Sequence, residues 1–439
     1  MQPEANLQQK PAIVPERGIS YWQSVRQQLA KNRIAVWSRR FICLMLVLAL
    51  LADFISNERP LACKYRGELF FPVFHQYAEG LNLAVTPEAF RNTEWDKPDY
   101  DWVIFPPVPY LPGNLDHANE HGVSPFSKQN VSSWHRHHWL GTDELGRDIL
   151  AGMIHGTRTA MSMGIVSMAF AAFIGIFFGA LAGFFGDDRL KVSAVRLVMN
   201  FISAVAGVFY GFGIRSFELH DALAVSLSSF LLHLLPCLLI IATFLLAGNF
   251  IAGLLERSPS LRRKVSVPLD MLISRFIEIM VCIPTLFLII SVAAIVSRPS
   301  EFMVMIIIGL TGWTGIARYL RAELFRIRSL EYMEAAKALG YSEWRMLLRH
   351  AVPNAISPVL IALAFGIASA ILNESLLSYL GIGMPAESIT WGSMLAQAQQ
   401  SPGAWWLALF PGFAIFITVT VYNLIGETLT DAMDPRLKK

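Results

Sequence analysis

The feature that most constrains this chain is a series of apolar runs, each about twenty residues long and nearly free of charge. A membrane helix needs about 20 mostly apolar residues to cross the hydrocarbon core of a bilayer. Hydrophobic residues make up 54% of the 439 residues and charged residues only 16%, whereas soluble domains average about 45–50% and about 25%. The sequence therefore predicts an all-α membrane protein.

Eight segments are predicted to span the membrane. The third contains Arg196 and Asn200, which weaken it, and the fourth is interrupted by Pro236. The eight predicted spans are residues 36–55, 159–185, 194–214, 222–254, 276–297, 302–320, 355–380 and 404–426.

Basic residues predict the orientation of these spans, because cytoplasmic loops carry an excess of lysine and arginine. Clusters of these residues precede the first span, follow the second, fourth and sixth, and end the chain. All five clusters fall on one side if eight spans alternate, which predicts a multi-pass protein with both termini in the cytoplasm. The net charge of +3 is too small to indicate nucleic acid as a partner.

The loop that follows the sixth predicted span, residues 331–353, has the pattern of a helix, a stop and a second helix. Its alanines favour a helix with a thin surface that another protein can approach. Gly340 can take the left-handed conformation that ends a helix, and Ser342 is placed to cap the next one. Pro353 is predicted to break the chain before the seventh span. Alone, this pattern also fits an ordinary basic loop between two spans.

The spacing of Glu-Ala-Ala at 334–336, Gly340 and Pro353 resembles the EAA loop of permeases of binding-protein-dependent ABC importers. In that family the loop forms a coupling helix that docks in a groove of the ATPase subunit. His350, followed by Pro353 and Asn354, resembles the dipeptide/oligopeptide branch. The resemblance implies an ATPase-coupling role for Glu334, Ala335, Ala336, Gly340, His350 and Pro353.

Other segments resemble the same branch: HWLGTDELGRD at 138–148, NESLLSYLGIG at 373–383 with Trp-Gly at 391–392, and GETLTDAMDPR at 426–436. The loop at 56–137 is longer than usual for the branch and resembles that of the subgroup that imports microcin C and longer peptides. Residues 191–268 have no counterpart in the branch. They are predicted to be an inserted pair of spans, either a peripheral accessory hairpin or a change to the substrate path.

The resemblance implies the helical bundle of a type I ABC importer permease, with six family-like spans and two inserted ones. The chain is predicted to begin with a cytoplasmic segment 1–35, in which residues 19–33 form either an interfacial helix or a solvated leader. A first transmembrane helix 36–55, an extended periplasmic loop 56–158 and a second transmembrane helix 159–190 follow. The rest is predicted to be an inserted two-helix segment 191–268 and a core permease domain 269–439, which carries the coupling loop 321–353.

The predicted function is that of a permease subunit in the inner membrane of a bacterium, which forms the pathway of an ATP-driven peptide importer. The implied partners are ATP-binding-cassette ATPase subunits, a second and different permease subunit, and a periplasmic substrate-binding protein. No P-loop of the Gly-Lys-Ser/Thr type is present, so the chain is not expected to be an enzyme. The alternatives are a permease for a non-peptide solute such as a nickel chelate or glycoside, and an ion-coupled secondary transporter, which would need inverted repeats.

Several polar residues are candidates for further roles. Glu278 and Glu374 lie within or beside predicted spans, where a charge is costly enough to indicate a role. Either could line the translocation pathway or pair with Arg275. A cluster of three histidines suggests a metal site, but no acidic or cysteine partner has suitable spacing, so hydrogen-bonded or solvated side chains are expected. These histidines are His135, His137 and His138. No metal and no cofactor are predicted.

Overall fold

The computed structural model describes residues 21–80, 83, 95, 100–225, 227–258, 261–295, 300–382, 385 and 388–433. The helices are α1 Tyr21–Lys31, α2 Arg33–Leu50, α3 Ala52–Ile55, α4 Pro72–Gly80, α5 Ile149–Ala180, α6 Ala194–Val208, α7 Ser216–Val225, α8 Leu227–Leu255, α9 Leu269–Cys282, α10 Thr285–Ile295, α11 Glu301–Ile327, α12 Glu331–Ala338, α13 Glu343–Met346, α14 Val352–Ala355, α15 Ser357–Tyr379, α16 Trp391–Gln400 and α17 Trp405–Met433. The strands are β1 Ala62–Tyr65, β2 Glu68–Phe70, β3 Trp102–Ile104, β4 Lys191–Ser193 and β5 Lys264–Ser266.

Six of the described helices are long and apolar enough to cross a membrane, and a bent pair makes a seventh candidate. The six are α5, α6, α8, α11, α15 and α17, of which α5 and α6 each continue into a π-helical turn. Helix α2, in the region of the predicted first span, is not among them, because its 18 residues include Arg33, Arg39 and Arg40. The all-α membrane architecture is confirmed, and the count of eight spans stays a prediction.

The fifth predicted span, 276–297, is not one continuous helix. The chain forms α9 and α10, which are bent by 83° relative to each other. Pro284 lies at the bend, and proline removes a backbone donor and disfavours helical geometry at the residue before it. Accordingly, Ile283 is extended, with φ −86° and ψ 121°. The last two residues of that predicted span, 296 and 297, lie outside the described residues.

Helix α5 begins at Ile149, well before the start at 159 that hydropathy predicted. The reason is a polar cap: Asp148 is extended, and its Oδ1 accepts a hydrogen bond from the backbone N of Ala151 at 2.6 Å. Such a cap satisfies a donor that the first turn of a helix otherwise leaves unpaired. The helix therefore starts in the polar HWLGTDELGRD segment and not at the first apolar residue.

The core of the bundle is the contact between α5 and α11, to which α15 and α17 add further helices. Three glycines spaced four residues apart, Gly175, Gly179 and Gly183, face α11. A Cβ at Gly179 would lie 2.7 Å from the carbonyl oxygen of Ala317, and one at Gly183 would lie 2.7 Å from that of Arg321. In lipid, helices associate through close van der Waals packing of this kind, because apolar side chains gain little by leaving lipid tails.

Helix α1 packs against the ends of α15 and α17. Val25 is buried beside Ala432 and Met433, and the Tyr21 hydroxyl lies 3.3 Å from Oγ of Ser357. Of residues 19–33, Tyr21–Lys31 are helical, and a position of this helix along the membrane surface stays a prediction.

Between α3 and α5 the chain forms an irregular subdomain with a three-stranded antiparallel sheet in the order β2-β1-β3. His138 ties this subdomain to α5. Its Nδ1 lies 2.8 Å from Oδ2 of Asp148, its Nε2 lies 3.0 Å from Oδ2 of Asp116, and its ring stacks on Tyr110 at 4.5 Å. Burial opposes the imidazolium charge, but the hydrogen bonds to the two carboxylates outweigh it and raise the pKa of His138. His138 thus has the hydrogen-bonded role expected from the sequence.

This arrangement predicts a loss of stability as the pH rises. Because the folded-state pKa of His138 is above the unfolded value of about 6.5, the imidazolium stabilises the fold fully below about pH 6.5 and stops doing so as the pH rises through the raised pKa. The pKa of Asp116 is lowered despite burial, by hydrogen bonds from His138 and Asn119, so the contribution of Asp116 to stability is lost only in acid.

Limited proteolysis of the purified protein should show faster cleavage of the subdomain above neutral pH. A His138→Gln variant should be cleaved faster at pH 6 and vary less with pH, and a flat wild-type profile would contradict the prediction.

The segment predicted to be inserted forms a helical hairpin on a narrow β-ribbon. Strands β4 and β5 pair antiparallel, with Ser193 opposite Lys264, and the backbone N of Val267 donates to the carbonyl of Leu190 at 2.9 Å. The chain therefore enters and leaves the hairpin at the same point.

Within the hairpin, α6 and α8 pack closely through small residues. A Cβ at Gly207 would lie 3.0 Å from Cα of Ile241, and one at Gly211 would lie 2.9 Å from the carbonyl oxygen of Cys237. Beside the ribbon, Arg196 forms a salt bridge of 2.7 Å with Glu256. The hairpin thus has its own internal packing.

Removal of the hairpin should leave the core folded. Replacing residues 194–263 by Asn-Gly would join Ser193 to Lys264 by a two-residue turn that suits paired antiparallel strands. In detergent, the melting temperature of the shortened protein should stay within about 2–4 °C of the wild type, the change that about 1 kcal/mol causes in a domain of 150–250 residues. As a destabilised control, Gly179→Leu places a side chain in the α5–α11 contact. A shortened protein that aggregates like this control would show that the hairpin is part of the core.

Candidate functional site

The predicted coupling loop is a helix with a well-formed stop. Helix α12 ends in a left-handed residue, Gly340, with φ +78°. The backbone N of Gly340 donates to Lys337 at 3.0 Å, and that of Tyr341 donates to Ala336 at 3.2 Å, which is the Schellman pattern that terminates helices. The side chain of Ser342 then accepts from the backbone N of Arg345 and caps α13. The local conformations predicted for Gly340 and Ser342 are confirmed.

Pro353 does not break the chain as the sequence predicted. Helix α13 runs into a π-helical turn at Leu347–Ala351 and then into α14, and Pro353 lies in the first turn of α14. The first turn is where a helix tolerates proline, because the missing N–H would have no partner there. The wider π-helical turn lets the helical path continue to Ala355 before α15 starts.

The loop divides its side chains between the bundle and the solvent. Met333 and Ala336 of α12 are buried against the core, whereas Glu334 and Ala335 are exposed. Leu339, at the end of α12, is 74% exposed. Further exposed apolar side chains follow at Trp344 and Leu348, four residues apart on the second helix. These three exposed side chains, named here the apolar patch, lie in a segment outside the helices that are apolar enough to span a membrane.

The sequence prediction of site residues missed this patch. The sequence feature that could have indicated the patch is the four-residue spacing of Trp344 and Leu348, which lie on a helix whose other side packs on the core. Of the predicted residues, His350 stacks on Tyr341 with ring centroids 5.9 Å apart. Asn354 donates to the carbonyl of His350 at 2.7 Å, so His350 and its neighbours stabilise the second helix locally.

The loop is held against the end of α5. The Trp344 ring contacts Phe185 edge to face, with centroids 5.2 Å apart. Arg189, in the turn after α5, lies 3.6 Å from Glu343. A displacement of the loop would therefore act on the ends of both α5 and α11.

The two acidic residues singled out as possible pathway residues lie apart from each other. Glu278 pairs with Arg275 at 2.6 Å on an exposed face of α9. Glu374 is 1% exposed and accepts hydrogen bonds from Ser378 at 2.7 Å and Ser375 at 3.3 Å. Glu278 thus has the arginine partner that the sequence suggested, and Glu374 has hydroxyl partners instead.

A groove of about 580 Å³ lies between α11 and α15 and reaches the start of α10. Glycines and alanines keep it open, and its polar groups include Thr311, Ser369 and Asn373. Asn373 lines the groove, although its neighbour Glu374 is buried in the bundle. The sequence prediction chose Glu374 from this pair, since hydropathy indicates the cost of a charge but not the direction in which a helical side chain points.

Two comparisons with known families match this architecture. Residues 248–439 match the family described as binding-protein-dependent transport system inner membrane component. Residues 20–65 match the N-terminal transmembrane domain of oligopeptide transport permease C. The first match includes the coupling loop and all of the groove except Met168, and the second includes α1 and α2.

Individual relatives agree with these matches. The chain is 28% identical over 432 residues to the peptidoglycan transport system permease protein YejE of Agrobacterium fabrum, covering 93% of this chain and 92% of the relative. It is 27% identical over 409 residues to the inner membrane ABC transporter permease protein YejE of Escherichia coli, covering 92% and 94%. It is 25% identical over 303 residues to the oligopeptide transport system permease protein OppC of Bacillus subtilis, covering 69% and 73%.

The coupling-loop geometry, the apolar bundle and these matches agree on one family, whose members are multi-pass permeases of the inner membrane and not catalytic enzymes. The chain carries the domain of binding-protein-dependent transport system inner membrane components over residues 248–439 and the N-terminal domain of oligopeptide transport permease C over residues 20–65, and its relatives include permeases of the dipeptide and oligopeptide branch.

Proposed function

We propose that this protein is a permease subunit of an ATP-driven importer, which forms the membrane pathway for peptides and couples it to separate ATPase subunits. The observation that carries the proposal is the loop α12–Gly340–α13, which presents an apolar patch to the solvent on a base held by α5 and α11. A patch of that kind outside the membrane fits a protein partner, and the ATPase is the partner that a permease of this branch requires.

The groove between α11 and α15 is the candidate pathway. Its small residues leave space, and its hydroxyl and amide groups can hydrogen-bond to peptide groups that would otherwise lack partners in the bilayer. A second permease subunit facing the groove would close it into a channel. Movement of the coupling loop would then switch the channel between outward and inward access. Glu278 and Glu374 also remain proposed pathway residues, although neither of them lines this groove.

The proposed orientation places both termini and the coupling loop in the cytoplasm. The Tyr21 hydroxyl contacts Ser357, which follows the loop, and lies 3.5 Å from the carbonyl oxygen of Met433 at the end of α17. The first described helix, the loop and the end of the last helix are therefore at the same end of the bundle. The irregular subdomain between α3 and α5 would face the periplasm, where a substrate-binding protein delivers its cargo.

Peptides are the proposed cargo because the dipeptide and oligopeptide permeases are among the relatives. The name of the Agrobacterium relative makes a peptidoglycan fragment the second candidate. Both share peptide groups, and uptake of labelled peptides with and without an attached sugar would separate them.

Substitutions in the coupling loop should uncouple ATP hydrolysis from uptake. Gly340→Val forces a β-branched residue into the left-handed region at a cost of about 1–2 kcal/mol, although a Cβ there would meet no other atom within 4 Å. Glu334→Lys reverses a charge on the exposed side of α12. Both variants should reach the membrane in normal amounts, yet lose peptide-stimulated ATPase activity and uptake in proteoliposomes. Gly340→Asn, which tolerates the left-handed region, is the mild control, and full uptake by both other variants would contradict the proposal.

A bulky residue in the groove should block uptake and leave the ATPase contact intact. Ser369→Trp would fill part of the groove, and uptake should fall by at least about tenfold, equivalent to about 1.4 kcal/mol or more. ATPase subunits should still co-purify with this variant in normal amounts. Leu409→Trp, on an exposed apolar part of α17, is the matched control and should transport normally. Equal uptake by the two variants would exclude the groove as the pathway.

A further inference from the structure

A second feature of the cytoplasmic end is a pocket of about 380 Å³ between α12 and the turn that follows α5. Its base contains two buried methionines, Met333 and Met346. Three cationic side chains, Arg189, Arg328 and Lys337, also line it, together with a single carboxylate, that of Glu334. The pocket is thus apolar at its base and carries an excess of positive charge.

Arg328 lies in this pocket without a carboxylate partner. Its Nη1 donates only a long hydrogen bond, 3.5 Å, to the carbonyl of Gly183, and its guanidinium lies over the Phe325 ring at 4.2 Å. Among the described residues no carboxylate oxygen lies within 4.0 Å of it. Two arginines of α11, by contrast, are paired: Arg321 with Asp270 and Arg326 with Glu323.

The neighbouring cation makes the lack of a partner more costly. Burial and the nearby charge of Arg189 lower the pKa of Arg328, and the carboxylates of Asp270, Asp188 and Asp187 offset only part of this effect. Among the described carboxylates, Arg189 pairs only with that of Glu343, at 3.6 Å. A carboxylate between the two guanidinium groups would relieve their repulsion and could accept charge-assisted hydrogen bonds from both. The planar donors of arginine suit a carboxylate better than lysine would.

We propose that this pocket receives an aspartate or glutamate side chain of the ATPase subunit, held between Arg189 and Arg328 with its aliphatic part on the two methionines. The inference rests on the proposed function and adds a contact beside the coupling helix. Glu334 and Lys337 belong to both the pocket lining and α12, so a subunit that covers α12 also covers the pocket. Charge complementarity selects an acidic side chain as the occupant.

This contact would engage both core helices at once. Arg189 follows α5 and Arg328 follows the last residue of α11, so one carboxylate would bridge the ends of the two helices that form the core. The apolar patch at Leu339, Trp344 and Leu348 would supply contact area, and the bridged carboxylate would fix the orientation of the ATPase subunit on it.

A zero-length cross-link tests the proposal in the complete transporter. In Arg328→Lys an amine replaces the guanidinium, and a carbodiimide joins an amine to a carboxylate only when the two are in contact. Mass spectrometry of the variant, purified with its ATPase subunits, should identify a cross-link from position 328 to an aspartate or glutamate of the ATPase. A cross-link that joins position 328 only to carboxylates of its own chain, such as Glu334 or Glu343, or no cross-link at all, would overturn the proposal.

Affinity measurements supply a second and independent test. Arg328→Ala and Arg189→Ala should each weaken binding of the purified ATPase subunit about tenfold, equivalent to about 1.4 kcal/mol, and added salt should reduce the wild-type affinity toward that of the variants. Arg326→Ala, an exposed arginine already paired with Glu323, is the matched control and should bind as the wild type does.

The outcomes separate this inference from the proposed function. Wild-type protein that captures no ATPase subunit would contradict the proposed function itself. Capture that is equal in wild type, Arg328→Ala and Arg189→Ala would leave the proposed function standing and overturn the pocket contact, as expected if the pocket instead holds the phosphate of an anionic lipid.

Discussion

The close contact between α5 and α11 is the constraint on which the rest of the structure depends. In water, a helix pair of this size would gain stability by removing apolar surface from solvent, but lipid gives no such gain. The pair must instead approach until backbone atoms touch, and Gly175, Gly179 and Gly183 allow that approach over two turns of helix. The two helices consequently form a closely packed base for the loop that follows α11.

The loop 331–353 packs on this base. Helix α12 follows α11 after a short turn, and Trp344 of the next helix rests on Phe185 at the end of α5. The Schellman stop at Gly340 holds the turn between the loop's two helices with backbone hydrogen bonds, and the side chain of Ser342 caps the second helix. Exposed side chains such as Leu339 and Leu348 take no part in these hydrogen bonds and are therefore free to serve a partner. That separation explains how a short segment can be both well ordered and available for docking.

Much of this architecture could be predicted from local sequence. The apolar runs indicated most of the membrane helices, and the spacing around Gly340 indicated a helix, a left-handed stop and a capped second helix. Such features depend on neighbouring residues, so hydropathy and backbone preference suffice to find them. Pro284 was visible as well, but a proline within an apolar run can kink a helix slightly or bend the path by 83°, and local sequence does not separate these outcomes.

Other features depend on residues far apart in the chain, and the sequence gives no measure of their distance. The side chains of Asp116 and His138 are hydrogen-bonded although the two residues are 22 positions apart in the sequence. Strands β4 and β5 pair although the whole hairpin separates them in the chain. The direction in which a side chain points from a buried helix is equally hard to predict from the sequence. Glu374 and Asn373 are neighbours in sequence, yet one is enclosed by serines and the other lines the groove. Arg328 was one basic residue among many until its lack of a carboxylate partner became visible.

The ribbon that carries the α6–α8 hairpin has a consequence for how such a chain can change in length. Because Ser193 and Lys264 lie side by side, an ancestor could gain or lose the whole hairpin at one loop without moving the flanking helices. If α6 and α8 each cross the bilayer, as their length and composition allow, every later helix keeps its direction through it. A single added crossing would have turned all of them over. The ribbon therefore marks a position where the gene can accept a large insertion while the transport core retains its topology.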